Sequence, residues 1–161
     1  SITGRLVASA LDDTGARIDA TVGAVSISPA VTPVPEPATF LLMIAGLAQL
    51  MSEALVLGEA AGVSRETLLE VMGSSAVGAP FVKYKTEPLL RDDFSATFTT
   101  ALMEKDIDLV LDVAEEAGLE LPVASEMKTL LRAAIDAGYA DDDFMALYLH
   151  LRSASGQEVV Q

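Results

Sequence analysis

The stretch FTTALMEKDIDLVLDVAEEAG, residues 98–118, decides the fold of this chain. Within it Met103, Ile107, Val110, Leu111, Ala114 and Ala117 recur at i, i+4, i+7, i+8, i+11 and i+14, one face of a helix at 3.6 residues per turn. The spacing predicts a helix over 98–117, stopped by Gly118. Glu104, Asp108, Asp112, Glu115 and Glu116 fall off that stripe. Like charges at i,i+4 cost roughly 0.2–0.5 kcal/mol per pair, which places them on a solvated face.

Helical signals extend in both directions from there. Toward the C-terminus a helix is expected from Pro122 until just before Gly138, with Leu130, Leu131, Ala134 and Ile135 apolar. Another follows Asp141, read as its N-cap, through Phe144, Leu147, Tyr148 and Leu151, and the polar tail 153–161 is expected to fray. Toward the N-terminus, 81–90 reads as helical turns interrupted by Pro88. Ser64 reads as the N-cap of a short helix over 65–72 ended by Gly73, with Glu66 in its first turn, where a negative charge meets the helix dipole. Ahead of it a long helix opens at Pro37, whose missing N–H would be unpaired at that position anyway, and continues to Ala61 with Gly62 as cap. Residues 38–51 are apolar except for Thr39, Gly46 and Gln49. Fourteen residues cover about 21 Å, less than the roughly 30 Å of a bilayer core, so a buried helix and no stable membrane span is expected.

Composition sets the limits on function. The chain has 161 residues, 51% of them hydrophobic, with 24 acidic and 10 basic side chains, a net charge of −14 and no cysteine. Disulfides and thiolate metal sites are excluded, and nucleic-acid binding is not expected, because it rests on clustered Lys and Arg neutralising phosphates. The charge is unevenly spread: residues 1–50 hold only Arg5, Arg17, Asp12, Asp13, Asp19 and Glu36. Residues 18–27 are rich in Val, Ile and Thr and read as weak strand or irregular coil. Pro29, Pro33, Pro35 and Pro37 then make a stiff linker. The expected organisation is an irregular or weakly β segment with a proline-rich linker over 1–37, a helical domain over 38–152 and the tail.

Three separated stretches, GLAQLMSEALVLGEAAGVSRETLLEVMGSS (46–75), FSATFTTALMEKDIDLVLDVAEEAGLELPV (94–123) and AGYADDDFMAL (137–147), resemble in order the C-terminal helical domain of the β-hydroxyacid dehydrogenase family, which contains 3-hydroxyisobutyrate dehydrogenase. The resemblance covers about 45–150. It implies a mainly α fold like the 6-phosphogluconate dehydrogenase C-terminal domain, with a long first helix, and a helical domain that swaps contacts in a dimer and makes the chain a homo-oligomer. It also implies an oxidoreductase that passes a hydride between NAD or NADP and a small β-hydroxyacid, in a cleft closed against a Rossmann domain. By the same resemblance Lys105 reaches the cofactor near the nicotinamide ribose, and Phe98 and Asp106 line the closed cleft. An ammonium is a compact charge able to bridge hydroxyl or phosphate oxygens, which suits that role. The bland reading of Lys105 is an exposed lysine among acidic neighbours.

Two departures limit the chemistry. No Gly-x-Gly occurs in the sequence, so the dinucleotide fingerprint is missing and a cofactor would need a Rossmann domain supplied elsewhere. The family's general acid is a lysine at the start of the first long helix, followed by asparagines. Its place falls near Pro37 and theirs near Phe40 and Leu41, yet no lysine precedes Lys83. No catalytic residue is therefore assigned, and a truncated or fused chain, inactive by itself and cytoplasmic, is expected.

Residues 34–47, VPEPATFLLMIAGL, resemble a PEP-CTERM sorting signal, without its terminal position or the arginine cluster after the apolar span. That resemblance supports an alternative, a non-enzymatic secreted or surface interaction protein. Other chemistry is poorly supplied. His150 is the only histidine, and Asp141, Asp142 and Asp143 lack the alternating spacing and glycine of a calcium loop, so no metal site is expected.

Overall fold

In the computed structural model the described residues are 2–11, 17–27 and 36–157, with side chains over 38–157. The chain divides into two units, 1–34 and 35–161. In the first, β1 (Ile2–Leu11) pairs antiparallel with β2 (Arg17–Ile27), Ile2 opposite Ile27 and Leu11 opposite Arg17, with a register shift between Gly4 and Leu6. Two strands thus stand where the composition gave weak strand or coil. The proline linker expected after them lies outside the described residues, apart from its end at Pro37.

The second unit is helical: α1 (Glu36–Ala60), α2 (Arg65–Ser74), α3 (Pro80–Leu90), α4 (Thr100–Glu116), α5 (Pro122–Ala134) and α6 (Leu147–Ala154). α1 is the central element, packed against α2, α4, α5 and α6. Its inward face is made by Ala45, Ala48, Ser52 and Leu55, all fully buried. They meet Met103 and Ile107 of α4, Met127 and Leu131 of α5, and Leu147 and Tyr148 of α6 in one core. Burying a Leu- or Met-sized side chain contributes about 1.5–3 kcal/mol, so this face is the main attachment of α1.

Several boundaries differ from the sequence expectation, each for a local reason. α1 itself runs through Ser52 and Glu53 to Ala60, as expected. The Ser52 hydroxyl donates to the Ala48 carbonyl (2.8 Å) and Gln49 Nε2 donates to Glu53 Oε1 (2.8 Å), so these donors are paired within the helix. The uninterrupted Ala38–Ala60 stretch, of mean hydropathy 2.0, is long and apolar enough to cross a membrane by length and composition. It is also not a buried helix all round: Phe40, Met43, Leu50 and Leu57 are exposed.

Gly73 lies inside α2, whose N-cap Ser64 accepts from Thr67 N. Pro88 lies within α3 without ending it. α4 begins two residues later than its stripe suggested, because Thr99 Oγ1 caps Leu102 N (3.1 Å). Ala117 is the exposed C-cap of α4 and not part of its buried face. α5 gives way to a wide turn over Ile135–Tyr139 that is left-handed at Gly138 (φ 102°). Asp143, not Asp141, starts the next element, capping a 3-10 turn over Phe144–Ala146 that feeds α6. The tail is held at least to Gln157, whose Nε2 donates to the Val56 carbonyl (3.3 Å).

Candidate functional site

α4 carries the residues singled out by resemblance, and its capping decides where they point. Phe98, just ahead of the cap, is half-buried, its ring edge-on to Phe144 at 6.2 Å, and its carbonyl accepts from Phe144 N (3.0 Å). Lys105 is exposed and makes no ion pair within 4 Å among the described residues. Asp106, one residue on and so about 100° around the helix, is half-buried. It lines a groove of about 550 Å3 between α4 and the first turns of α1, together with Ala38, Leu41, Leu109, Asp112 and Glu116. Phe98 and Lys105 are not among the residues that line this groove.

The donor set tests how a dinucleotide would fit. Asp106, Asp112 and Glu116 have no ion-pair partner among the described residues. Such carboxylates accept hydrogen bonds from ribose hydroxyls and repel a pyrophosphate. Lys105, exposed, is the one basic residue of α4. The groove thus offers acceptors for hydroxyl groups and no cradle for phosphates, which need a glycine-rich turn that this sequence lacks. Leu41, near the place the resemblance gives to an asparagine, borders the groove with Ala38, which follows Pro37, near the place given to the general acid, and neither side chain can move a proton.

Two polar networks that the sequence reading missed lie elsewhere in the helical unit. Lys85 Nζ donates to both Asp143 carboxylate oxygens (2.8 Å each) and to Thr97 Oγ1 (3.1 Å), while Asp143 also accepts from Thr97 N and Oγ1 and from Met145 N. Lys85 and Asp143 are both buried. Burial by itself raises the Asp143 carboxyl, but the hydrogen bonds from Lys85, Thr97 and Met145 outweigh it and hold the group below the usual carboxylate range. The available signal was Lys85 standing with Val82 and Leu89 at i, i+3 and i+7, a charge on an apolar stripe.

The second network centres on Glu59, which accepts from Tyr148 Oη (2.6 Å) and Arg65 Nε (3.0 Å), with Arg152 Nε 4.0 Å away. The Tyr148 ring also lies under both guanidinium groups, 5.1 and 5.5 Å from its centroid. Burial, then the bond to Glu59, pushes the Tyr148 phenol well above its ordinary value. The first network ties α3 to the loop ahead of α4 and to the turn ahead of α6, and the second fastens α2 and α6 to the C-terminal end of α1. His150 is half-buried, and the described residues hold no cluster of metal-ligating side chains.

The helical unit is thus built round one long helix, with a Lys-Asp pair on a helix packed against it. The chain belongs to the family whose model is described as NAD-binding of NADP-dependent 3-hydroxyisobutyrate dehydrogenase, which matches residues 39–151. Among similar proteins is the chloroplastic glyoxylate/succinic semialdehyde reductase 2 of Arabidopsis thaliana, 27% identical over 66% of this chain and 30% of that protein. A probable mitochondrial 3-hydroxyisobutyrate dehydrogenase of the same plant is 32% identical over 62% of this chain and 30% of its own length. The cytokine-like nuclear factor N-PAC of Aedes aegypti is 28% identical over 69% of this chain and 19% of that protein.

Of solved structures, the Mycobacterium tuberculosis 3-hydroxyisobutyrate dehydrogenase matches with a TM-score of 0.62 at 29% identity, over 71% of this chain and 42% of that one. The Salmonella typhimurium 3-hydroxyisobutyrate dehydrogenase shares the fold, with a TM-score of 0.66 over 70% of this chain and 39% of that one. The chain thus spans about a third of the length of the dehydrogenases and reductases it matches.

Proposed function

We propose that this chain supplies the oligomerisation and cleft-closing domain of an NAD(P)-dependent β-hydroxyacid dehydrogenase of the 3-hydroxyisobutyrate type, and that it carries out no hydride transfer by itself. The groove between α1 and α4 carries the reading: Asp106 lines it, able to accept a hydrogen bond from a cofactor hydroxyl, and no lysine stands among its lining residues to act as the family's general acid. The bound nicotinamide supplies the hydride chemistry. A Rossmann domain, NAD or NADP on it, and a second copy of the chain are the proposed partners. The proposed location is the cytoplasm, with α1 packed in its own domain and not spanning a bilayer. Glu59 of α1 supports that placement, being held by Arg65 and Tyr148, a contact that insertion would break.

Calorimetric titration of NAD and NADP into the chain, alone and mixed with a Rossmann domain of the family, tests this. Binding is expected only in the mixture, weakened about tenfold by Lys105→Ala, the worth of one charge-assisted hydrogen bond. Equal affinity with and without Lys105 would reduce it to a surface lysine. A second reading, a non-enzymatic interaction module, is favoured by the missing lysine together with the similarity to proteins named nuclear factors. It predicts no cofactor binding in either titration.

A further inference from the structure

We infer that the cleft between α1 and α5 is a binding site for a primary ammonium carried on an aliphatic body, either a free alkylamine or a lysine side chain of a partner. The cleft shares no lining residue with the Asp106 groove, so the inference stands apart from the proposed cofactor role. It holds about 390 Å3, at the small end of the roughly 300–1,000 Å3 typical of ligand pockets. Leu50 of α1 and Val123 and Leu130 of α5 give it apolar walls. Its long polar side chains are Gln49, Glu53 and Glu126, each of which carries an acceptor oxygen.

Gln49 carries the inference. It is only 4% exposed, on a helix that is otherwise apolar from Leu41 to Met51 apart from Gly46. Its Nε2 donates to Glu53 Oε1 (2.8 Å), and this fixes the orientation of the amide, because a carboxylate only accepts. The oxygen left over, Gln49 Oε1, is buried and has no hydrogen-bond partner. Buried acceptors without a partner are uncommon because their desolvation is not repaid, and a leucine at this position would avoid the cost. A donor entering the cleft repays it.

Charge then selects among donors. Glu53 and Glu126 have no ion-pair partner among the described residues, and no lysine or arginine is among the residues lining the cleft. α5 opens at Pro122 without a side-chain cap, and its N-terminus counts as about half a positive charge, which two carboxylates outweigh. A carboxylate ligand is therefore repelled, and a hydroxyl brings a donor without the charge. An ammonium is a compact cation with three donors, enough to serve Gln49 Oε1 and both carboxylates, while its methylene stem covers Leu50, Val123 and Leu130.

The chain has glutamine only at 49, 157 and 161 and no asparagine, so the Gln49 amide is directly observable. In amide proton–nitrogen correlation spectra of the full chain at physiological salt, hexylammonium chloride is expected to shift the side-chain amide that disappears in Gln49→Leu. Hexanol and sodium hexanoate at equal concentration are expected to leave it in place. Glu126→Gln, at an exposed position that the fold tolerates, is expected to weaken hexylammonium binding about tenfold with unchanged helical circular dichroism. Gln49→Leu, followed through the backbone amide of Val123, is expected to weaken it at least as much, and Glu66→Gln on α2 to leave it unchanged. Tighter binding of the peptide acetyl-Leu-Lys-Leu-amide than of hexylammonium assigns the cleft to a partner's lysine, and the reverse order to a free amine. No shift, an equal shift with hexanol, or binding that survives both cleft substitutions would overturn the site. So would shifts spread evenly over the acidic helices, the mark of a −14 chain gathering counter-ions.

Discussion

Asp143 receives hydrogen bonds from Lys85, Thr97 and Met145 inside the core, so its charge is compensated only while three separate segments are in place. Removing one partner of such a pair leaves the other buried and unpaired. Asp143→Asn is expected to cost roughly 3–5 kcal/mol in urea denaturation, and the double change Lys85→Met with Asp143→Leu to recover most of it. The pH dependence follows from the lowered folded-state value. The stabilisation is complete above the ordinary aspartate range near 3.9 and is lost as pH falls through the lower folded value, so wild type and Asp143→Asn should converge in strong acid.

Tyr148 works in the opposite range. Its folded phenol stays protonated where the unfolded one ionises, so stability declines as pH rises past the ordinary value of 10.0. Ultraviolet titration should show one late-ionising tyrosine whose phenolate appears only as the chain unfolds, and Tyr148→Phe should remove that component. Neither network was legible in the sequence. Thr97 and Lys85 lie 46 and 58 residues from Asp143, and Glu59 lies 89 from Tyr148, separations across which no local spacing carries information.

At the scale of elements, what was legible was what local period decides. The α4 stripe emerged from spacing because burial at i, i+4 and i+7 is a property of one helix, and Ser64 and Gly118 punctuate the chain by their own chemistry. The misplaced boundaries have non-local causes: Asp143 outcompetes Asp141 as a cap because Thr97 and Lys85 hold it there, and Gly73 does not stop α2. The turn after α2 is instead set by Gly78, where a Cβ would stand 2.6 Å from the Gly73 carbonyl oxygen, backbone against backbone. Gly78→Ala is expected to cost about 1–3 kcal/mol. Gly73→Ala, with nothing within 4 Å of its Cβ, should gain up to about 1 kcal/mol of helix propensity. Paired thermal melts of the two variants check both signs. Of the candidate site, the helix bearing Lys105 and Asp106 was legible and its division was not. Adjacent residues on a helix diverge by about 100°, which sends Asp106 to the groove and leaves Lys105 at the surface.

For the molecule as a whole, charge and missing chemistry dominate. A net −14, with Asp106, Asp112 and Glu116 side by side along α4, implies self-repulsion that salt screens. The melting temperature should therefore rise between low and physiological ionic strength; a fall would mean that the ion pairs of Arg65 and Lys85 outweigh the repulsion.

The uninterrupted first helix has a further consequence during synthesis. Its apolar length is complete on the ribosome long before Tyr148, the residue that clasps Glu59 from 89 positions downstream, has been made. At 5–20 residues per second that interval lasts roughly 4–18 s. Throughout it a segment with the length and hydropathy of a membrane span stands uncovered. Which fate the nascent chain takes is thus a race between elongation and the factors that capture apolar segments, and slowing translation beyond α1 would tilt it toward capture.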